Sequence, residues 1–139
     1  MGSRRKARVL AFQALYAWEF NRVPLEDLTG FSWLDKDYKL SFKQDTIDFA
    51  RILVAGVLEN IEYIDQEIRT HLDHWDFNRL SKVELAILRM GVFSLFFQKE
   101  IPISVTIDEA IDISKDFGGE DSYRFINGVL DGIRKSSQL

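Results

Sequence analysis

Arg4, Arg5, Lys6 and Arg8 place four cations in five positions, and Gln13 and Tyr16 follow at a spacing of three. On one helix, Arg5, Arg8 or Val9, and Gln13 or Tyr16 share a face. Cation, amide and aromatic ring together are the groups that grip single-stranded RNA. Phosphates take the charge, base edges take the amide, and a ring stacks on a base for about 1–3 kcal/mol. Tyr16 also fits an ordinary core tyrosine with its hydroxyl at the rim. A second cluster lies in Phe117-Gly118-Gly119-Glu120-Asp121-Ser122-Tyr123-Arg124-Phe125-Ile126-Asn127. Two glycines stop one helix, Asp121 or Ser122 starts the next, and Arg124, Phe125 and Asn127 come into its first turns. A turn that only joined two helices would need a glycine and a cap, not this cluster.

Other chemistry is poorly provided for. No nucleophile with a base, metal cluster or phosphate-cradling loop is visible, so catalysis is not expected and no cofactor is implied. Gly118-Gly119 lacks the Gly-Lys-Ser or Gly-Lys-Thr of a phosphate loop. His71 and His74 have no third ligand in pattern. Asp35-Lys36-Asp37 lacks the further ligands of a calcium loop. The chain has no Cys, which removes disulfides, thiolate catalysis and Cys-based metal sites. This fits a reducing cytoplasm. No apolar run approaches the roughly 20 residues that span a bilayer.

The chain has 139 residues, 46% of them apolar, enough for one domain or two small subdomains sharing a core. Its net charge is −4, so it is not a globally basic nucleic-acid binder. One basic arm on an acidic protein implies contact with polyanions over a small part of the surface.

Helical periodicity dominates, and the pattern predicts an all-α fold. The first helix runs from Ser3 or Arg4 to Phe20, with Val9, Phe12, Leu15, Tyr16 and Phe20 inward. Its cations oppose the helix dipole at a cost of about 0.3–1 kcal/mol each. They read either as a frayed, solvated terminus or as an arm that firms up on RNA. Residues 25–42 predict a short helix and then a loop anchored by Trp33. Gln44 to Leu72 is helical with a break at Gly56 or Asn60, and Trp75 and Phe77 seal a junction between two halves. Ser81-Lys82-Val83-Glu84 has the form of a capping box. The helix after it, to about Lys99, is apolar nearly all round and must be central. Within it Arg89 is either a snorkelling edge residue or a cation aimed at the groove of the basic arm. Leu95-Phe96-Phe97-Gln98 leaves aromatic surface suited to a protein partner. Ile101 to Val105 predicts a connector, Thr106-Ile107-Asp108-Glu109 a second capping box, and Gly118 a helix C-terminus. The last helix spans Ser122 to Lys135, with Phe125, Ile126, Val129, Leu130 and Ile133 inward.

Arg4-Arg5-Lys6-Ala7-Arg8 with Ala11-Phe12-Gln13-Ala14-Leu15-Tyr16 resembles the start of the NusB family of bacterial antitermination factors. Asn78-Arg79-Leu80-Ser81 through Leu88-Arg89 resembles its middle. Ile101-Pro102-Ile103 through Ala110, and Phe117-Gly118-Gly119-Glu120-Asp121-Ser122 through Phe125-Ile126-Asn127-Gly128-Val129-Leu130-Asp131, resemble its C-terminal half. Val23 to Phe42 matches little. The resemblance implies an all-α fold of two small helical bundles packed across each other, about seven helices, divided as residues 1–77 and 78–139. It implies no enzymatic activity. It implies binding of the boxA element of ribosomal-RNA leader transcripts together with the ribosomal protein NusE. The implied larger assembly contains NusA, NusG and RNA polymerase and suppresses premature termination. The RNA-contacting positions implied are Arg4, Arg5, Lys6, Arg8, Gln13, Tyr16, Arg89, Asp121, Arg124 and Phe125, with Arg124 and Phe125 facing the groove of the arm. Asp121 would accept from a base amino group, cap the last helix, or do both. The NusE-facing side implied includes Glu84 and the surface near Ile103, where the family often has Tyr.

Two other readings stand beside this one. An N-terminal RNA-binding domain of an RNA methyltransferase would need a Rossmann segment after the last helix. A helical interaction module or homodimer would use the aromatic surface and leave the arm solvated.

Overall fold

In the computed structural model, which describes residues 2–73 and 76–139, the first helix, α1, spans Ser3–Phe20. His74 and Trp75, singled out above, lie outside the described residues. The described residues form eight α-helices and one 3-10 turn. They group into two units, with the division between Glu59 and Asn60. The helix Ile61–Arg69, which precedes the expected division at 77/78, packs on helices that follow it in the chain.

In the first unit α1 packs against α4 (Gln44–Glu59), and α2 (Leu25–Thr29) also packs on α4. The buried face of α1 is not the expected aromatic stripe. Ala7, Leu10, Ala11, Ala14 and Leu15 are buried, whereas Tyr16 is 37% and Phe20 64% exposed. Phe12 is the aromatic of that stripe that goes fully inward. The alanines leave room for the α4 backbone, where Ala50, Val54 and Val57 are fully buried, because interaxial distance follows side-chain size at the contact. Leu10, Leu15 and Leu53 supply the apolar payload, about 1.5–3 kcal/mol each.

The connection from Pro24 to Phe42 holds more helix than expected. After α2, Phe31 is fully buried at φ 53, a left-handed conformation costing a non-glycine residue about 1–2 kcal/mol. Trp33, expected as the anchor, is 42% exposed and makes local contacts: its indole N–H donates to the Leu28 carbonyl at 3.2 Å, and its ring lies 5.8 Å from that of Phe31. Arg51 Nε of α4 donates to the Thr29 carbonyl at 3.0 Å. The loop expected next is instead a helix, α3 (Lys36–Leu40), started by Asp35, whose carboxylate accepts from the Tyr38 N–H. Asp35-Lys36-Asp37 is thus a helix start.

The second unit is built on α6 (Lys82–Phe97), which packs with α5 (Ile61–Arg69), α7 (Ile103–Phe117) and α8 (Ser122–Ser136). The predicted break falls at Asn60, and Gly56 stays inside α4. Every residue from Leu85 to Leu95 is buried, as an all-round apolar helix requires. Its start is the expected capping box: Ser81 Oγ accepts from the Glu84 N–H at 3.0 Å, and Glu84 Oε1 accepts from the Ser81 N–H at 3.3 Å. The second expected box is not formed. α7 starts directly after Pro102, whose fixed φ suits a helix entrance, and Thr106 lies inside the helix and is buried.

Gly118 ends α7, but in an extended conformation (φ −93, ψ 179) and not in a left-handed cap. Its glycine serves close approach. A Cβ there would lie 2.7 Å from the Ser114 carbonyl oxygen and 2.9 Å from the Ser122 Cβ. On α8, Ile126, Val129, Leu130 and Ile133 turn inward as expected, while Phe125 is only half-buried. No helix among the described residues is long and apolar enough to cross a membrane.

Candidate RNA and partner surfaces

The arm cations are not equivalent. Arg4 places its guanidinium carbon 3.9 Å from the centre of the Phe49 ring, and Arg8, one turn on, lies 5.4 Å from the same ring. Such contacts contribute about 0.5–2 kcal/mol, enough to offset the unfavourable position in the dipole. Arg8 is 7% exposed, so the expected accessible arm cation is corrected to a buried one that helps to hold α1 on α4. Arg5 is half-buried and Lys6 is exposed. The Lys6 ammonium makes no ion pair or ring contact among the described residues. It opens onto a hollow of about 190 Å³ lined by Lys6, Val9, Leu10 and Gln13 of α1, Tyr38 of α3, and Ser41 and Phe42 after it. Tyr16 lies outside this hollow, with its ring 5.1 Å from that of Phe20 and 6.2 Å from that of Phe12. Neither the wholly frayed terminus nor the wholly free arm describes this turn.

Arg89 is the clearest departure from expectation. It is 4% exposed and neither snorkels nor reaches a surface. Its Nε donates to Asp65 Oδ1 at 2.9 Å and its Nη2 to Oδ2 at 3.0 Å, a two-pronged ion pair between α6 and α5. A guanidinium so enclosed is a structural tie between α5 and α6, not the RNA contact expected of Arg89. Sequence reasoning missed Asp65. The signal was an acid beside Ile64 and Ile68, both fully buried, on the inward face of α5.

The α7–α8 junction carries the remaining expected residues. A hollow of about 280 Å³ is lined by Arg79, Leu80, Glu84, Gly119, Glu120, Asp121, Ser122 and Phe125. Asp121 stands at the N-cap of α8, but its carboxylate makes no capping hydrogen bond, so the expected cap is positional only. Ser122 closes the turn instead. Its Oγ accepts from the Gly119 N–H at 3.2 Å and donates to Glu84 Oε2 at 3.1 Å. Glu84 therefore serves α6 with one oxygen and the junction with the other. Arg124 is exposed, and its Nε donates to the Tyr123 hydroxyl at 3.0 Å. Ile103 is half-buried at the first position of α7. The arm and the Arg124–Phe125 cluster belong to different units, and the geometry here is that of each unit by itself. No group of three potential metal ligands occurs among the described residues.

The aromatic surface expected near Phe96 and Phe97 forms within the second unit. Tyr63 sets its ring edge-on to Phe96 at 5.5 Å and to Phe97 at 6.0 Å. Tyr63 is 47% and Phe97 46% exposed, whereas Leu95 and Gln98, in the same sequence run, are buried.

Comparison with known proteins agrees with this architecture. The transcription antitermination protein NusB of Treponema pallidum subsp. pallidum is 52% identical over 134 residues, covering 96% of this chain and 94% of its own. The structure of NusB from Thermotoga maritima superposes with a TM-score of 0.84 at 41% identity, covering 95% of this chain and 90% of that one. A crystal structure of the antitermination factors NusB and NusE in complex with dsRNA gives a TM-score of 0.85 at 32% identity over 98% of both chains. With the NusB family profile matching residues 5–135, the chain belongs to the NusB family.

Proposed function

We propose that this protein is an RNA-binding transcription antitermination factor. It binds the boxA element of ribosomal-RNA leader transcripts together with the ribosomal protein NusE, within a cytoplasmic complex that includes NusA, NusG and RNA polymerase. The observation that carries the reading is the start of α1. Its first turn has no acid, Arg4 and Lys6 are exposed, and Arg5 and Gln13 are half-buried. These three cations meet phosphates, Gln13 meets a base edge, and the half-exposed Tyr16 offers a ring. In the second unit Phe125 stacks on a base, Arg124 meets phosphate, and Asp121 accepts from a base amino group, which specifies sequence. Glu84 and the surface near Ile103 face NusE. Likeness to a NusB seen with NusE and dsRNA supports the pairing of partner and nucleic acid.

The test is titration of boxA-like RNA and a scrambled RNA, each with the protein alone and with NusE. Tighter binding of the boxA-like RNA in the presence of NusE is expected. Equal binding of the two RNAs under both conditions would sink the proposal.

A further inference from the structure

The hollow between α1 and α3 has the wrong size for a drug-like ligand and the right lining for one ring. Its volume of about 190 Å³ is below the roughly 300–1,000 Å³ of sites that enclose such molecules. Val9 and Leu10 give it apolar surface, and Tyr38 and Phe42 bring two rings whose centres are 5.0 Å apart at 84°. An edge-to-face pair leaves each ring at least one face not covered by the other, and Tyr38 is 50% exposed. The polar groups are Lys6, Gln13, Ser41 and the Tyr38 hydroxyl. No carboxylate lines the hollow. The Gln13 amide has no hydrogen-bond partner among the described residues, and the Lys6 ammonium is likewise unengaged. A free amide can donate to and accept from one base edge.

We infer that this hollow holds one unpaired nucleobase of the bound RNA, stacked on Tyr38, with its edge on Gln13 and its phosphate on Lys6. The inference rests on the RNA-binding reading above and extends the contact surface from α1 onto α3, through Tyr38 and Phe42. Charge decides between RNA and a basic protein segment. A Lys or Arg side chain from a partner would meet Lys6 and find no acid, whereas a nucleotide brings the anion that Lys6 lacks.

The experiment uses the full chain with NusE and a set of boxA-like RNAs, each with one abasic position. Tyr38→Ala should weaken binding of the intact RNA between about fivefold and a hundredfold, the range for loss of one stacked base. Tyr38→Phe should bind as wild type within about twofold, because the ring and not the hydroxyl carries stacking. One abasic position should cost wild type the same factor and cost Tyr38→Ala nothing further. Leu40→Ala, at a 72% exposed position on the same short helix, serves as the folding control together with thermal melts. Unchanged RNA affinity in Tyr38→Ala and Phe42→Ala, with wild type still binding, overturns the inference and leaves the RNA-binding reading standing. The same result with weakened NusE binding overturns it in favour of a protein side chain as occupant. Absence of RNA binding by wild type, with and without NusE, overturns both.

Discussion

The hollow beside α1 and the hollow at the α7–α8 junction are similar in scale and opposite in charge. The first has Lys6 and no carboxylate; the second sets Glu84, Glu120 and Asp121 against Arg79. The most buried arginine of each unit is also held differently. The first unit rests Arg8, with Arg4, against the face of Phe49. The second unit buries Arg89 against a full countercharge, Asp65. A net charge of −4 conceals this division. A phosphate backbone is drawn to the first hollow, whereas the second favours groups that donate hydrogen bonds, such as base amino groups or the basic side chains of a protein.

The largest test of this contrast is Arg89→Ala. It leaves the Asp65 carboxylate buried without its partner, and a loss of about 3–5 kcal/mol in denaturant unfolding is expected. Replacing both members, Arg89→Met with Asp65→Leu, should restore most of that stability. Unchanged stability with weakened RNA binding in Arg89→Ala would instead place this cation on the RNA and erase the difference between the units. A middling effect is expected from salt. With Arg4, Arg5, Lys6 and Arg124 on phosphates at roughly −0.7 per contact, the slope of log affinity against log salt should be about −3. Lys6→Ala should flatten it by about 0.7, while Arg79→Ala in the acidic hollow should leave it unchanged. Equal flattening by the two variants would mean that both hollows meet phosphate. The smallest effect belongs to Glu120→Gln, which should raise RNA affinity on the order of twofold at low salt and by less as salt rises. A fall in affinity would mean that Glu120 itself contacts a base.

Much of the fold was legible because helix signals are local. The bounds of α1, the Ser81–Glu84 box, the stop at Asn60 and the inward face of α8 all follow from periodicity and caps within a few residues. The face of α1 was not legible. Aromatic residues dominate any hydrophobic pattern, yet close packing on α4 selected the alanines and left Tyr16 and Phe20 outside. Pro102 was read as an interruption when it is a helix entrance. The fate of Arg89 depended on Asp65, 24 positions away, which no local window contains. Lys6 and Gln13 could be named from sequence, but Tyr38 could not, because its placement depends on how α3 docks. The only local hint was the spacing of four between Tyr38 and Phe42 after the Asp35 cap.

Glu84 has a consequence for how the second unit opens and closes. Its two oxygens join the Ser81 N–H at the start of α6 to the Ser122 hydroxyl, and that hydroxyl in turn holds the Gly119 N–H. The first turn of α6 and the turn before α8, 38 positions apart at Glu84 and Ser122, therefore share one latch. Loss of the Glu84 carboxylate would remove a hydrogen bond from both turns at once, so Glu84→Ala is expected to speed amide exchange in both. A partner that engages Glu84 competes for this latch, and the cost of loosening the α8 turn is part of its binding free energy.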